Sequence, residues 1–127
     1  MDENAVGRAV VDAAVQLHRG LGPGLLESVY EATLAEELRS RGFSVERQVS
    51  IPLVYKGVRF EQGFRIDLHV AKRVIVEIKS SDSITDGHRK QLLTYLRLTD
   101  SHLGFLLNFG AARMKDGIVR LVNNLTE

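Results

Sequence analysis

Apolar residues recur at helical spacing along the N-terminal third of the chain. One stripe runs from Asn4 to Arg19 and stops at Gly20, and a second runs from Leu25 to Arg41 and stops at Gly42. Between the two stripes, residues 20–24 read GLGPG, a composition that ends one helix and permits a sharp turn into the next. The pattern predicts two helices that pack together.

After Gly42 the apolar period changes to two, which is typical of strands. The first predicted strand covers Val45 to Tyr55, and Lys56-Gly57 supplies a turn after it. Pro52 places this strand at a sheet edge, because proline has no N–H to donate to a neighbouring strand.

The next two predicted strands carry polar side chains that can share a face. They cover Phe64 to Val70 and Val74 to Lys79, joined by a short turn. In the first strand, strict alternation predicts one apolar face and an opposite face with Asp67; the apolar set is Phe64, Ile66, Leu68 and Val70. In the second strand, Glu77 and Lys79 lie on the polar face, so a hairpin would bring them close to Asp67.

The remaining pattern predicts a strand–helix–strand unit. A third helix extends from Asp86 to Leu98, and an almost continuous apolar run from Leu103 to Phe109 is typical of a buried strand. Such a unit favours a crossover that makes this strand parallel to Val74–Lys79, and residues 117–122 add an edge strand. We therefore expect one α/β domain over residues 1–127, with a mixed sheet flanked by helices.

The amino-acid composition limits the kinds of metal site that are possible but gives little information about the substrate. The chain has no cysteine, which excludes disulfides and thiolate metal sites, so any metal must be held by oxygen or imidazole. The net charge of +1 gives little electrostatic evidence for nucleic-acid binding. We read no secretion signal at the N-terminus and no apolar run of the roughly 20 residues that span a bilayer, so we expect a cytoplasmic protein without a membrane partner.

Asp67, Glu77 and Lys79 are the residues that point to chemistry. Hard divalent cations such as Mg²⁺ are commonly held by one or two carboxylates, with water and phosphate oxygens completing the shell. An ammonium group beside the metal can orient the attacking water and stabilise charge on a phosphate. By itself, however, a Glu-x-Lys triplet with apolar neighbours is also the pattern of an ordinary amphipathic strand whose charges form only surface ion pairs.

Three motifs resemble those of known nucleases. The spacing Asp67…Glu77-x-Lys79 resembles the PD-(D/E)XK nuclease active site, and Gln91-Leu92-Leu93-Thr94-Tyr95 resembles the Q-x-x-x-Y motif of RecB-like members. Residues 24–30, GLLESVY, read as G-x-x-E-x-x-Y. Together with His18 and the preceding LGPG they resemble the GxxExxY protein family, which is assigned to the same superfamily, over nearly the whole chain.

The resemblance implies a restriction-endonuclease-like core and a Mg²⁺- or Mn²⁺-dependent nuclease that hydrolyses phosphodiester bonds with a metal-activated water. In such a nuclease, Asp67 and Glu77 bind the metal with the main-chain carbonyl of Ile78, and Lys79 positions the water. Gln91 and Tyr95 orient the site. The implied partner is nucleic acid, with DNA favoured over RNA.

Four further residues have two interpretations each. Glu27 is either an additional site acid or a carboxylate that stabilises the helix dipole. Tyr30 is either a substrate contact or a core aromatic, and His88 either contacts phosphate or orders its helix. His18 lies near a helix C-terminus, where a structural role competes with a functional one.

A second hypothesis comes from a different class of protein. The near-neutral charge also suits a non-catalytic nuclease-like module that binds nucleic acid or a protein. Because the chain shows no separate recognition module, we expect either weak sequence specificity or target choice through a homodimer or a protein partner.

Overall fold

The structure is a computed structural model and describes residues 2–126. Within these residues the helices and strands alternate as an α/β protein. In chain order they are α1 (Glu3–Leu21), α2 (Glu27–Ser40), β1 (Val45–Tyr55), β2 (Val58–Val70), β3 (Val74–Lys79), α3 (Asp86–Leu98), β4 (Leu103–Asn108), a short 3₁₀ helix (Met114–Gly117) and β5 (Ile118–Val122). None of the helices among residues 2–126 is both long and apolar enough to cross a bilayer.

Local signals define the two N-terminal helices. The Asp2 side chain caps α1 by accepting a hydrogen bond from the Ala5 N–H at 2.8 Å. The helix ends at Leu21 and is capped by Gly22, which has a φ of 74° and donates its N–H to the His18 carbonyl. α2 begins at Glu27 rather than at Leu25 as predicted, because Leu26 is extended.

The five strands form one mixed sheet in the order β1-β2-β3-β4-β5. β1, β2 and β3 are antiparallel, β3 and β4 are parallel, and β5 is antiparallel to β4. The predicted parallel pair and the predicted edge position of Pro52 are therefore confirmed. Lys56 and Gly57 form the tight turn between β1 and β2, both with positive φ.

Helices cover both faces of this sheet. On one face α1 and α2 bury an apolar cluster against the central strands, including Val10, Leu34, Val76 and Leu107. On the other face α3 packs Leu92 and Leu96 against Ile66, Ile75 and Leu106. This arrangement confirms the restriction-endonuclease-like α/β fold.

β2 departs from the prediction in two ways. It begins at Val58 and is thus longer than the predicted strand, which began at Phe64. The expected single apolar face was wrong: Phe64 and Ile66 pack on the α3 side, whereas Leu68 and Val70 pack on the side of α1 and α2. The physical reason is a local break in the alternation at Asp67, beside Gln48 of β1, which has a φ of 51°.

Candidate active site

Asp67 and Glu77 lie where β2 and β3 diverge. The ladder between these strands ends at Leu68 and Val76. Beyond it, the Asp67 N–H donates to Glu77 Oε2 at 2.7 Å, and the Ile78 N–H donates to Asp67 Oδ2 at 2.8 Å. The two carboxylates thus replace the missing backbone hydrogen bonds, which fixes both side chains in position before any ligand binds.

The electrostatics of this pair favour a bound cation. Burial raises the pKa of Glu77 to about 8, and the charges of Asp67 and Glu31 act in the same direction. The hydrogen bond from the Asp67 N–H and the charge of Lys79 partly oppose the rise in this pKa. Without a cation the folded protein therefore favours the protonated, neutral form of the Glu77 carboxyl, and a bound cation would stabilise the charged form.

Lys79 and Ile78 complete the predicted motif on β3. Lys79 is half-buried and lies two residues after Glu77, so both side chains point to the same side of the strand. Among residues 2–126 the Lys79 ammonium has no hydrogen-bond or ion-pair partner. The Ile78 side chain is buried in the core, while its main chain lies beside Asp67.

Glu27 is at the end of β3 but does not contact the acid pair. It is the first residue of α2, and its Oε2 accepts a hydrogen bond from the Ser80 N–H at 3.3 Å. The Ser80 hydroxyl donates to the Leu25 carbonyl at 2.7 Å. Glu27 therefore joins the start of α2 to the residue that follows Lys79.

Glu31 is a site residue that the sequence reasoning missed. It lies one helical turn after Glu27 and is only 6% exposed. Its Oε2 accepts from both Nε and Nη2 of Arg47 at 3.1 Å, and its Oε1 accepts from Gln48 Nε2. The signal was its position four residues after Glu27, which places both acids on one face of α2.

Gln48 connects this helix to the acid pair. Its Nε2 donates to Asp67 Oδ1 at 3.3 Å as well as to Glu31. Because Gln48 occupies the left-handed region, its side chain reaches the site from a strand whose alternation is interrupted there. Glu31, Gln48 and Asp67 thus form one chain of contacts across α2, β1 and β2.

Tyr95 is the residue of α3 that lies beside the carboxylates. Its ring stacks on Phe64 with 4.4 Å between centroids. Burial raises the pKa of Tyr95, and the charges of Glu77 and Asp67 add to that rise. Gln91 precedes it by one turn on the same helical face and is exposed.

His88 belongs to the cap of α3 in this structure. Its Nδ1 accepts from the Thr85 N–H at 3.2 Å, while the Thr85 hydroxyl accepts from the His88 N–H at 3.2 Å. This reciprocal arrangement satisfies two backbone donors at the start of the helix. Of its two interpretations, the geometry favours ordering of the helix.

Tyr30 and His18 are core residues. Tyr30 is fully buried, stacks on Phe109 at 4.4 Å, donates its hydroxyl to the Gly22 carbonyl and accepts from the Leu25 N–H. Of the two interpretations of Tyr30, this burial favours the core aromatic, because the ring holds the loop before α2. His18 is buried with its Nε2 2.8 Å from the Ala111 carbonyl, consistent with its structural interpretation.

The donor set fits a hard divalent cation whose shell is completed by water and substrate. No group of three or more acidic or histidine side chains among residues 2–126 is arranged to hold a metal. The protein instead offers the Asp67 and Glu77 carboxylates with the nearby main chain of Ile78, and Mg²⁺ usually keeps several waters or phosphate oxygens. Glu77 is buried beside the Asp67 carboxylate, and a bound cation would offset both the burial and the repulsion that disfavour its charged form.

The mixed sheet, its flanking helices and the paired acids with a lysine at diverging strands define a nuclease-like class of α/β protein. A family model for the PD-(D/E)XK nuclease superfamily matches residues 4–121, so the chain belongs to that superfamily. Comparisons with curated proteins and with solved structures returned no match. Members of the superfamily are generally nucleases that use divalent metals, typically Mg²⁺, although some are non-catalytic.

Proposed function

We propose that this protein is a Mg²⁺- or Mn²⁺-dependent nuclease that hydrolyses phosphodiester bonds in the cytoplasm, acting on DNA in preference to RNA. The observation that carries the proposal is the exchange of hydrogen bonds between Asp67, Glu77 and the two diverging strands, with Lys79 on the same side of β3. The G-x-x-E-x-x-Y sequence at residues 24–30 further supports assignment to the GxxExxY family.

Each residue has a distinct role in this proposal. Asp67, Glu77 and the Ile78 carbonyl hold the cation, which supplies positive charge to the scissile phosphate and lowers the pKa of water. Lys79 orients the attacking water and stabilises the additional negative charge that develops on the phosphate. Glu31 and Gln48 hold Asp67 in place, Glu27 anchors α2 to the end of β3, and Gln91 and Tyr95 line the α3 side.

The direct test is cleavage of labelled single-stranded, double-stranded and branched DNA, and of RNA, with Mn²⁺, Mg²⁺ or EDTA. We expect metal-dependent cleavage that falls by at least about 100-fold in Lys79→Ala, because an oriented group beside the reacting phosphate is lost. Lys115→Ala, at an exposed lysine in the 3₁₀ helix, is the matched control. Equal rates in wild type and Lys79→Ala would refute the assignment.

One observation favours the alternative of a non-catalytic binding module. An oxygen of each carboxylate already accepts a backbone N–H, so the acid pair stabilises the sheet without a cation. Calorimetric titration with Mn²⁺ separates the two functions. The nuclease should show binding heat that disappears in Asp67→Asn, whereas the module should bind nucleic acid or protein without such heat.

A further inference from the structure

The hairpin of β1 and β2 extends well beyond the rest of the sheet. β2 runs from Val58 to Val70, yet only Leu68, His69 and Val70 pair with β3. Residues 49–65, here called the arm, therefore form a two-stranded ribbon without a third strand on either edge. Since a lone ribbon is only marginally stable, its exposed surface requires an explanation.

One face of the outer arm is apolar and aromatic. Tyr55 pairs with Val58, and Leu53 pairs with Phe60, so the alternation of the strands places all four side chains on the same face. Tyr55 is 65% exposed and Phe60 is 53% exposed. They are diagonal neighbours, a relationship that places their Cα atoms about 7–8 Å apart on the same face.

This apolar face leads back to the active site. The next pair inward is Ile51 with Phe64, and Phe64 stacks on Tyr95 beside the carboxylates. The register shifts between Ile51 and Leu53, where Gly63 lies so close to Leu53 that any added Cβ would overlap it. Between these two pairs β2 has more residues than β1, and the glycine allows them to form a bulge. Beyond the bulge, Leu53 and Phe60 extend the apolar face toward the tip of the arm.

The charges of the arm suit a polyanion. Three cations, Lys56, Arg59 and Arg65, accompany a single acid, Glu61, which is paired with Arg59. The Lys56 ammonium lies 5.5 Å from the centroid of the Tyr55 ring. Cations next to exposed aromatic rings are the combination with which proteins bind single strands, through phosphate pairing and base stacking.

The size of the apolar surface argues against a second copy of the chain as its occupant. Each of the exposed side chains at Tyr55, Val58 and Phe60 offers on the order of 100 Å². Their sum of about 300 Å² is below the apolar share, a little over half, of the roughly 800 Å² that each partner buries in a stable interface, whereas stacking needs only one ring per base.

We propose that the arm is a stacking platform for a single-stranded nucleic acid that enters or leaves the active site, with unstacked bases on Tyr55 and Phe60 and phosphates beside Lys56. The inference rests on the proposed nuclease function and narrows its substrate to single strands or duplexes with single-stranded tails.

Binding in EDTA tests the platform without requiring cleavage. Fluorescence anisotropy of labelled oligothymidylate should show affinity about tenfold weaker in Tyr55→Leu and in Phe60→Leu, because the apolar surface remains while the stacking ring is lost. Tyr55→Phe should retain wild-type affinity, since it keeps the ring. Leu98→Ala, at a 51% exposed apolar residue of α3, is the control.

A second measurement uses the absence of tryptophan from the chain. Tyr55→Trp provides a single indole, and its fluorescence should be quenched when oligothymidylate binds. No quenching, no binding by wild type, or equal affinity in the leucine variants would overturn the inference. Sedimentation that shows a wild-type dimer converted to monomer by Phe60→Leu would instead identify the arm as a self-association surface.

The nuclease proposal and the platform proposal can be refuted independently. Wild-type cleavage that is unaffected by loss of the rings would leave the nuclease assignment standing without the platform. Ring-dependent binding with no cleavage under any metal condition would leave the platform without the nuclease.

Discussion

Asp67 and Glu77 hold each other's strands together: the Glu77 carboxylate accepts the Asp67 N–H, and the Asp67 carboxylate accepts the N–H of the residue after Glu77. The proposed metal ligands are consequently also sheet residues. Substitutions at these positions therefore alter stability as well as catalysis, and the choice of replacement separates the two effects.

Asp67→Ala should lower the free energy of unfolding in EDTA by about 1–3 kcal/mol, because the Ile78 N–H loses its acceptor inside the protein. Asp67→Asn retains an acceptor oxygen and should lose less, although it should bind Mn²⁺ as poorly as Asp67→Ala. Urea unfolding and calorimetry measure the two quantities. Equal stability of the two variants would contradict the structural role of this hydrogen bond.

Glu77 should make the metal-free protein less stable as pH rises from about 4.5 to about 8. Over this window the unfolded chain releases the Glu77 proton while the folded chain retains it, because burial raises the folded pKa to about 8. The predicted loss is about 5 kcal/mol, present in full above pH 8 and absent below pH 4.5.

Urea unfolding in EDTA across this pH range checks the effect of Glu77. The stability of Glu77→Gln should change less with pH than that of wild type, whereas Glu61→Gln, at an exposed carboxylate of the arm, should follow wild type. The comparison isolates Glu77 from other titrating groups such as His69, whose pKa burial lowers. Parallel pH profiles for wild type and Glu77→Gln would disprove the prediction.

Glu31→Ala should lower the free energy of unfolding by about 2 kcal/mol, because Arg47 and Gln48 lose a buried acceptor. Glu36→Ala on the same helix should change it by less than about 0.5 kcal/mol, since Glu36 is 74% exposed in its ion pair. Chemical denaturation measures the free energy of unfolding of both variants. Similar losses would mean that the contacts of Glu31 contribute little.

Tyr30→Phe should cost about 1 kcal/mol of stability and leave the KM for nucleic acid unchanged. The substitution keeps the stack on Phe109 and removes only the hydroxyl that joins Gly22 to Leu25. Thermal unfolding and steady-state cleavage measure the two effects. A raised KM at unchanged stability would instead support the interpretation of Tyr30 as a substrate contact.

Much of the secondary structure could be predicted because its signals are local. Apolar residues at helical spacing, ended by glycines, predicted α1 and α2. Alternating apolar and polar residues predicted β3, and a continuous apolar run predicted β4. The parallel pairing of β3 and β4 followed from the intervening helix. Chemical type and spacing likewise selected Asp67, Glu77 and Lys79 as candidates.

Other features depend on residues that are distant in sequence. The role of Glu31 emerges only when α2 packs beside β1, where Arg47 and Gln48 reach its carboxylate. The same packing decides that Tyr30 is a buried ring and not a surface contact, since its polar and apolar neighbours come from different elements.

The sequence by itself determined the element types, the mixed sheet and the acid–acid–lysine motif, because periodicity and residue chemistry are properties of short segments. Only the tertiary structure decided the break of alternation at Asp67, the reciprocal hydrogen bonds with Glu77, and the projection of the arm. Each of these depends on where one strand stops pairing with another, and that point is set by the competition between backbone and side-chain hydrogen bonds across the sheet.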